Sequence, residues 1–299
     1  MNNLIERYFT QKSSLKKIEF TRLLSQRRLL QVIFTDSVYT NYQLLQKIAS
    51  WKDMFSKFRF FFTDFDYSFF SRLTSFTDLE THRFSDTLKS STESIIVNFS
   101  DHPGIRKHLN RCRNSLILDI DNSGNFQFHP QDSTPLKILE NFAGFAQLPY
   151  QNGILNFKFL DKDAKEARFN FFQNKFLNII LDIHNPGIFK SLENLIVSLK
   201  QNFPANIYIT GRQLKKNWFI NTRNLETGNM LDLFFLSRES DILLCDQQDR
   251  VKVFSNFDIN QIFLSKTERM TGIESVDPGN IELIKEQIDR KVKGSVKEG

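Results

Sequence analysis

The sequence has 299 residues, of which 40% are hydrophobic and 25% charged, and its formal net charge at pH 7 is +6. This composition excludes a disordered chain and bounds the protein to one large domain or two to three smaller ones. The sequence lacks a run of roughly 18 apolar residues, so we expect no membrane span. It also lacks the pattern of a secretory leader and the cysteines of a disulfide framework, so we expect a cytoplasmic protein.

Residues 3–92 are predicted to be mostly helical, because apolar residues recur at spacings of three and four and neither Gly nor Pro occurs before Pro103. The segment Phe55–Phe70 keeps such a spacing of Phe residues and is predicted to be a core helix. Residues 1–30 hold seven basic residues against Glu6 and Glu19, a local balance of +5. An alternative interpretation is that the basic helices and the Phe segment bind nucleic acid.

From about residue 93 onwards, short apolar runs alternate with Asn, Asp, Gly and Pro, a texture typical of strands. The predicted strands are Ser94–Phe99, Leu116–Ile120, Ile154–Leu160, Leu177–Ile183, Asn206–Thr210, Met230–Ser237, Ile242–Cys245, Val251–Phe254 and Ile259–Leu264. The pair Ile242–Cys245 and Val251–Phe254 flanks a polar tetrapeptide and is predicted to form a hairpin.

Two helices interrupt or end this strand-rich part. Apolar residues from Leu192 to Phe203 form a helical stripe between two predicted strands, which predicts a right-handed crossover with those strands parallel. A last helix is signalled by Asp277 as cap and Pro278 in the first turn. The expected fold class is α+β, with a helical N-terminal region followed by a strand-rich C-terminal region that can contain a β-barrel. The predicted divisions are residues 1–92, 93–175, 176–275 and 276–299.

One short pattern occurs twice, as LILDIDNSGNF at Leu116–Phe126 and as IILDIHNPGIF at Ile179–Phe189. Each copy is an apolar run that ends in Asp and enters a turn with Asn and Gly, which predicts a buried strand followed by a tight bend. Acid–base chemistry at Asp182 and His184 is an alternative to this turn interpretation, and it predicts an enzyme with a deep pocket around both side chains.

The spacing of the two copies, Asp119-Ile-Asp121-Asn-Ser-Gly124 and Asp182-Ile-His184-Asn-Pro-Gly187, resembles the second motif of PilZ domains. PilZ domains are small β-barrels that bind cyclic di-GMP, and carboxylate and hydroxyl side chains of the motif contact the guanine base. The resemblance implies phosphate contacts from Arg106, Arg111 and Arg113 and base contacts from Asp119, Asn122 and Ser123, next to Gly124. It implies corresponding roles for Asp182, His184, Asn185 and Gly187. The sequence departs from the family in lacking two arginines separated by three residues.

A second resemblance covers LDIHNPGIFKSLENLIVSLKQNFPANIYITG, which looks like the strand-helix-strand middle of a STAS domain. In that comparison Ser191 falls near the phosphorylated serine, at a helix N-terminus.

Glycine-rich phosphate loops, zinc-protease and serine-hydrolase motifs are missing from the sequence. His102, His108 and Cys112 come closest to a metal cluster but lack a fourth ligand, so no metal, catalytic residue or cofactor is assigned. The sequence therefore predicts a non-catalytic regulatory protein that acts by binding a ligand or a protein partner. The most specific form of this prediction is a degenerate PilZ-like receptor for cyclic di-GMP. Nucleic acid is the alternative partner.

Overall fold

The computed structural model describes residues 29–89, 94–109, 111–112, 116–119, 134–160, 176–189, 192–211, 222–225, 229–266 and 275–295. The chain divides into two compact units, Met1–Lys158 and Phe159–Gly299. Within these described ranges each unit has one β-sheet, and all the strand pairings in the two sheets are parallel.

The first unit alternates strands and helices along the chain. Its described elements are β1 (Leu29–Ile33), α1 (Val38–Ala49), β2 (Lys57–Phe62), α2 (Asp64–Phe70), β3 (Leu79–Arg83), β4 (Ser94–Asn98), α3 (Pro103–Leu109), β5 (Leu116–Asp119) and α4 (Pro135–Ala146). The strands lie in the order β3-β2-β1-β4-β5. Because β1 lies between β2 and β4, the chain reverses its direction of travel across the sheet at β1 and β4.

Strand β2 shows why this unit is not the helical region expected from its Phe spacing. Phe58, Phe60 and Phe62 alternate with Arg59 and Phe61, and all five are buried. A strand covered on both faces lacks the apolar–polar alternation that would reveal it in the sequence. The predicted core helix over Phe55–Phe70 is therefore half strand, β2, and half helix, α2.

The second unit repeats the alternation. Its described elements are β6 (Leu177–Ile183), α5 (Pro186–Phe189), α6 (Leu192–Asn202), β7 (Ala205–Gly211), β8 (Thr222–Asn224), α7 (Met230–Glu239), β9 (Ile242–Cys245), α8 (Gln248–Phe254), a 3-10 turn (Ser255–Phe257), β10 (Gln261–Leu264), β11 (Ser275–Val276) and α9 (Ile281–Ser295). The strand order is β11-β10-β9-β6-β7-β8.

One face of this sheet is covered by α6 and α9. Ile179, Leu181 and Ile183 of β6 share a buried core with residues such as Leu195 of α6 and Ile284 of α9. The predicted helix that begins at Leu192 and the parallel pairing of Leu177–Ile183 with Asn206–Thr210 are confirmed. The last helix is also present, but it begins at Ile281, so Asp277 is not its cap and Pro278 is not in its first turn; Asn280 accepts from the N–H of Leu283 instead.

The order of the second sheet places β6, its first strand, at the centre, between β7 and β9. The chain proceeds from β6 to β8 on one side and then returns to β9 on the other. Counted from β6, this is the strand order 3-2-1-4-5-6 of the doubly wound fold, in which ligands bind outside the carboxyl ends of the strands, at the point of reversal. In the second unit that point is the carboxyl end of β6 and β9.

Several sequence-based predictions are corrected by this architecture. The fold is α/β, with two open parallel sheets among the described residues, and neither sheet closes into a barrel. The N-terminal region is not purely helical, since β1, β2 and β3 lie in it. Met230–Ser237 and Val251–Phe254 form helices α7 and α8 rather than strands, so the predicted hairpin is wrong. The four-part division of the chain stays a prediction.

Other predicted strands are confirmed: β4, β5, β6, β7, β9 and β10 lie where apolar runs indicated them. Ile154–Leu160 is not a strand; it holds only an isolated bridge from Phe157 to Leu73. The basic segment of residues 1–28 lies outside the described residues. Within the part that the structure describes, no helix is both long and apolar enough to cross a membrane.

Candidate functional site

Polar side chains gather at the carboxyl ends of β6, β7 and β9. Parallel register places Asp182 of β6 beside Thr210 of β7 on one side and beside Cys245 of β9 on the other. Arg250 reaches the same place from helix α8, which follows β9. These four residues are brought together by topology, because carboxyl ends of parallel strands meet at one edge of a sheet.

Asp182 is the centre of this cluster and is fully buried. Its Oδ1 accepts a hydrogen bond from the Thr210 hydroxyl at 2.8 Å, and its Oδ2 accepts from Nη1 of Arg250 at 2.7 Å and from the Cys245 thiol at 3.3 Å. A buried carboxylate is tolerable only when its oxygens are satisfied in this way. Asp182 is therefore held rigidly as an anion inside the protein.

The charge state of Asp182 follows from two opposing effects. Burial alone raises the pKa of this carboxyl group, but the hydrogen bond with His184 and the positive charge of Arg250 more than compensate. The pKa of Asp182 consequently lies well below its usual range. Burial, reinforced by the Asp182 charge, has the opposite outcome for Cys245, whose thiol pKa is raised well above its usual value. Cys245 is thus a neutral hydrogen-bond donor, not a nucleophile.

His184 lies just beyond β6 and is the partly exposed member of the cluster, with 35% of its side chain accessible. Its Nε2 lies 3.0 Å from Oδ1 of Asp182 and 2.8 Å from Nη1 of Arg250. With a proton on Nε2 the ring donates to Asp182; without it the ring accepts from Arg250. The imidazole is oriented by both neighbours, as a buried carboxylate orients a histidine in many catalytic sites.

Gly211, at the end of β7, makes room for this imidazole. Its φ is +76°, and a Cβ atom there would lie 2.6 Å from Nε2 of His184 and 2.7 Å from the carbonyl oxygen of Ile183. Any other residue would be strained in this backbone conformation and would also collide with the ring. The glycine is therefore a requirement of the His184 position.

The turn after β6 is fixed by a second carboxylate, that of Asp246. Its two oxygens accept from the backbone N–H of His184, at 3.0 and 2.8 Å, and one of them accepts from the N–H of Asn185 at 2.6 Å. The Gln247 side-chain amide donates to Asp246 as well, at 2.9 Å. The Asn185 side chain in turn accepts from the N–H of Gly187 at 2.8 Å, which closes a small side-chain turn.

A cavity of about 300 Å³ adjoins this turn, at the carboxyl ends of β6, β9 and β10. Its lining combines a carboxylate, an ammonium group and apolar side chains, from Asn185, Gly187, Ile188, Asp246, Phe263, Leu264, Ser265 and Lys266. The volume lies at the lower end of the range for small-molecule sites. The cavity is large enough for a sugar or a nucleoside but not for a large ligand in its entirety.

The structure places the sequence-predicted site residues in two different sheets. Asp182, His184, Asn185 and Gly187 all belong to the edge just described, the last two as cavity lining. Asp119 ends β5, an edge strand of the other unit. The two copies of the repeated pattern thus occupy non-equivalent positions. The first lies on the outermost strand of the first sheet, and the second lies on a central strand of the second sheet.

The predicted arginine contacts remain predictions. Arg106 lies in helix α3 and Arg111 is exposed just after it. Arg113, Asn122, Ser123 and Gly124, and also Ser191 of the STAS comparison, lie outside the described residues. In the part of the chain that the structure describes, no group of three His, Cys, Asp or Glu side chains is placed to hold a metal ion.

Sequence reasoning missed the partners that Asp182 and the turn recruit from distant segments: Thr210, Gly211, Cys245, Asp246, Arg250 and Lys266. A signal existed for two of them, since Asp246 and Lys266 closely follow the apolar runs of β9 and β10, as His184 follows β6. The deep pocket expected around both Asp182 and His184 is not what the structure has. Asp182 is sealed, and the cavity lies beside the neighbouring turn.

Comparison with solved structures assigns the fold. The E. coli heptosyltransferase WaaC with ADP superposes with a TM-score of 0.55 and 8% sequence identity, covering 88% of this chain and 99% of that one. The same enzyme with ADP-2-deoxy-2-fluoro heptose gives a TM-score of 0.54 at 10% identity, with the same coverage. No family model matches the sequence, and neither does any curated protein. At such low identity the likeness establishes a shared fold.

This likeness overturns the PilZ and STAS interpretations. The PilZ prediction required a β-barrel around Asp119, whereas the chain has the two-sheet Rossmann-like fold of glycosyltransferases. The predictions of a non-catalytic regulator and of nucleic-acid binding through N-terminal helices lose their structural basis with it, because the described N-terminal part is an α/β sheet and the two solved structures that share the fold are those of a heptosyltransferase. Whether the chain binds cyclic di-GMP, a protein or nucleic acid stays untested.

Proposed function

We propose that this protein is a glycosyltransferase whose activated sugar donor binds at the carboxyl edge of the second sheet. The observation that carries the proposal is the cavity of about 300 Å³ beside the turn after β6, at the reversal point of a doubly wound sheet. The two solved structures named above contain ADP or an ADP-linked sugar analogue. A nucleoside diphosphate sugar is therefore the donor class proposed for this chain.

The lining of the cavity suits the two ends of such a donor. Sugar and ribose hydroxyls are hydrogen-bond donors, and the Asp246 carboxylate is an acceptor at the cavity wall. The diphosphate becomes the leaving group and gains negative charge in the transition state. The Lys266 ammonium group, exposed at the end of β10, can balance that charge. A cavity of this volume holds part of the donor, the remainder lying along the sheet edge.

The Asp182 cluster supports this site without belonging to the cavity. Arg250 and Thr210 hold Asp182, Asp182 orients His184, and the turn that carries His184 continues into the cavity wall at Asn185. A preorganised edge of this kind keeps binding groups in place without reorganisation when the ligand arrives. The catalytic step proposed is displacement of the nucleoside diphosphate from the anomeric carbon by an acceptor hydroxyl.

The test is a donor screen with purified protein. Thermal midpoints are measured with ADP, UDP and GDP, and release of nucleoside diphosphate is measured from the corresponding sugar donors, with and without a mixture of sugar acceptors. We expect one nucleotide class to raise the midpoint by mass action and its sugar donors to be cleaved. The absence of both binding and cleavage at millimolar donor, for every class, contradicts the proposal.

A matched pair of variants locates the site. Lys266→Gln removes the ammonium group from the cavity and is expected to weaken donor binding about tenfold. Lys285→Gln makes the same change in charge on helix α9, where the partly buried Lys285 bonds the exposed Glu282 at 2.8 Å, and is expected to leave binding unchanged. Equal losses in the two variants would mean that Lys266 contributes only through net charge.

A further inference from the structure

The turn after β6 presents two backbone N–H groups, those of His184 and Asn185, to one carboxylate. Distances of 2.8 and 2.6 Å to a single oxygen of Asp246 place these among short, charge-assisted hydrogen bonds. In doubly wound folds the turn after the first strand is where phosphate groups of nucleotides accept such N–H groups. In this protein the position is already filled by an anion of the chain itself.

The Asp246 carboxylate accepts hydrogen bonds from several donors on both of its oxygens, which distinguishes it from a chance surface contact. The second carboxylate oxygen accepts from the Gln247 amide at 2.9 Å and from the N–H of His184 at 3.0 Å. The Asp246 backbone N–H also donates to the carbonyl oxygen of Asp182, at 3.2 Å, which continues the pairing of β9 with β6. A phosphate group approaching the turn would have to displace a carboxylate with several donors and would be repelled by its charge.

We propose that Asp246 is a specificity-determining residue that keeps phosphate groups off the turn after β6 and reserves this side of the cavity for uncharged, hydroxyl-bearing parts of a ligand. The two N–H groups are consumed, and the residue that lines the cavity here is an ionised Asp246, whose side chain can only accept hydrogen bonds. Phosphates are then directed toward Lys266, the cation of the cavity lining. The inference rests on the proposed function only for the orientation of a sugar donor; exclusion of phosphate from the turn stands without it.

The experiment uses inorganic pyrophosphate, which has the anionic groups of a donor but no sugar or base. Calorimetric affinity and thermal midpoints are measured for the wild-type protein and Asp246→Asn, which keeps the shape and one acceptor oxygen but loses the charge. We expect affinity for pyrophosphate to rise at least about tenfold in the variant, since one repelling charge is removed and a neutral amide oxygen holds the two N–H groups less tightly than a carboxylate does. Adenosine has no anionic group, so its affinity should not rise in the variant.

Asp241→Asn is the matched control. Asp241 lies at the amino end of β9 and accepts from the backbone N–H of Asn178 at 2.7 Å, so it is the same residue type with the same kind of bond at the opposite edge. It should lose comparable stability but gain no affinity for pyrophosphate. If Asp246→Asn does not fold, Asp246→Ser, which also removes the charge, takes its place, and a gain in pyrophosphate affinity is again expected.

The outcomes separate this inference from the proposed function. Equal pyrophosphate affinity in the wild-type protein and Asp246→Asn, or a loss in the variant, overturns the role given to Asp246 even if sugar donors are cleaved. A gain confined to Asp246→Asn establishes that role even if no donor class is ever turned over, in which case only the glycosyltransferase proposal fails.

Discussion

Asp241 and Asp246 lie at the two ends of strand β9, and each carboxylate accepts backbone N–H groups from the corresponding end of β6. Asp241 bonds the N–H of Asn178 at 2.7 Å, and Asp246 bonds those of His184 and Asn185. The two central strands, β6 and β9, are thus joined at both ends by hydrogen bonds from backbone N–H groups to an aspartate carboxylate. Only the Asp246 end faces the cavity, so the chain separates stabilisation at one edge from ligand selection at the other.

Arg250→Met should be among the most destabilising single changes in the second unit. It leaves the Asp182 carboxylate buried without its cationic partner, and breaking a buried pair in this way costs about 3–5 kcal/mol of unfolding free energy. Arg238→Met, an exposed arginine at the end of α7, should change stability by less than about 0.5 kcal/mol. Urea unfolding of both variants measures the difference, and similar losses would refute the role of the pair.

The same pair predicts how stability depends on pH. Because the pKa of Asp182 is lowered by folding, its contribution is complete above the unfolded value of about 3.9 and is lost only as pH falls below it. In Arg250→Met the carboxyl pKa of the folded protein lies closer to the unfolded value, so less stability remains to be lost and the fall at acid pH should be shallower. Unfolding curves between about pH 3 and pH 7 test this. Parallel stability profiles for the wild-type protein and the variant would show that Arg250 does not hold the charge.

Gly211→Ala tests the space reserved for His184. The new methyl group would meet both the imidazole and a backbone oxygen, at a φ that L-residues rarely adopt, and we expect a loss of about 1–3 kcal/mol together with weaker donor binding. Gly144→Ala is the counterpart: it lies inside helix α4 with no atom near its Cβ position and should gain about 0.5–1 kcal/mol. A neutral result at Gly211 would argue against a fixed His184 ring.

Glu80→Gln concerns the first unit. The hydrogen bond from Lys57, against the opposing effect of partial burial, lowers the pKa of Glu80 to about 2, with Arg59 adding its charge. The folded state therefore gains stability from Glu80 above the ordinary carboxyl range and loses it between about pH 4.5 and pH 2. The variant should flatten that part of the acid-unfolding curve, modestly, because Glu80 is about one third exposed.

Glu140→Gln serves as the comparison for Glu80, since Glu140 pairs with Lys137 on the surface of α4. Surface pairs of this kind contribute little, so its acid unfolding should match that of the wild-type protein. An equal flattening in both variants would indicate a general effect of net charge rather than the Glu80 cluster.

Gly153→Ala probes the segment that follows α4. Gly153 donates its N–H to the carbonyl oxygen of Gln46 at 2.7 Å, and a Cβ atom would lie 2.8 Å from the backbone carbon of Ala49. The contact is with backbone, which cannot move aside cheaply, so we expect a loss of more than about 1 kcal/mol. A change in stability below about 0.5 kcal/mol would mean that the segment can lift away from α1.

The sequence predicted the strands best where a short apolar run was bounded by Gly, Asn or Asp, as in β6 and β7. It failed where apolar residues cover all sides of an element. In α7, the run MLDLFFLS is buried on nearly its whole circumference, and such a run cannot be told from a buried strand by periodicity. The available cue was Asn229, which caps α7 by accepting from the N–H of Asp232.

The site was predictable only in part, for a geometric reason. Asp182 and His184 are two residues apart and were recognised as a pair, but Thr210, Cys245 and Arg250 join them through strand pairing across long stretches of chain. The alternation of strands and helices would have predicted that meeting point. Reading residues 3–92 as helices concealed the alternation in the first unit and removed the reason to expect it in the second.

The parallel sheets have a consequence for how the chain must assemble. Parallel strands cannot pair through short hairpins, so β2 can pair with β1 and β3 only after the intervening segments have folded back, and such folding is slow. During that interval the segment KFRFFF is an aggregation hazard. We expect charge repulsion between Lys57 and Arg59 of different copies to oppose this, until β3 pairs with β2 and Glu80 balances the two charges. The two basic side chains that form ion pairs in the folded sheet are therefore also expected to reduce self-association before the chain has folded.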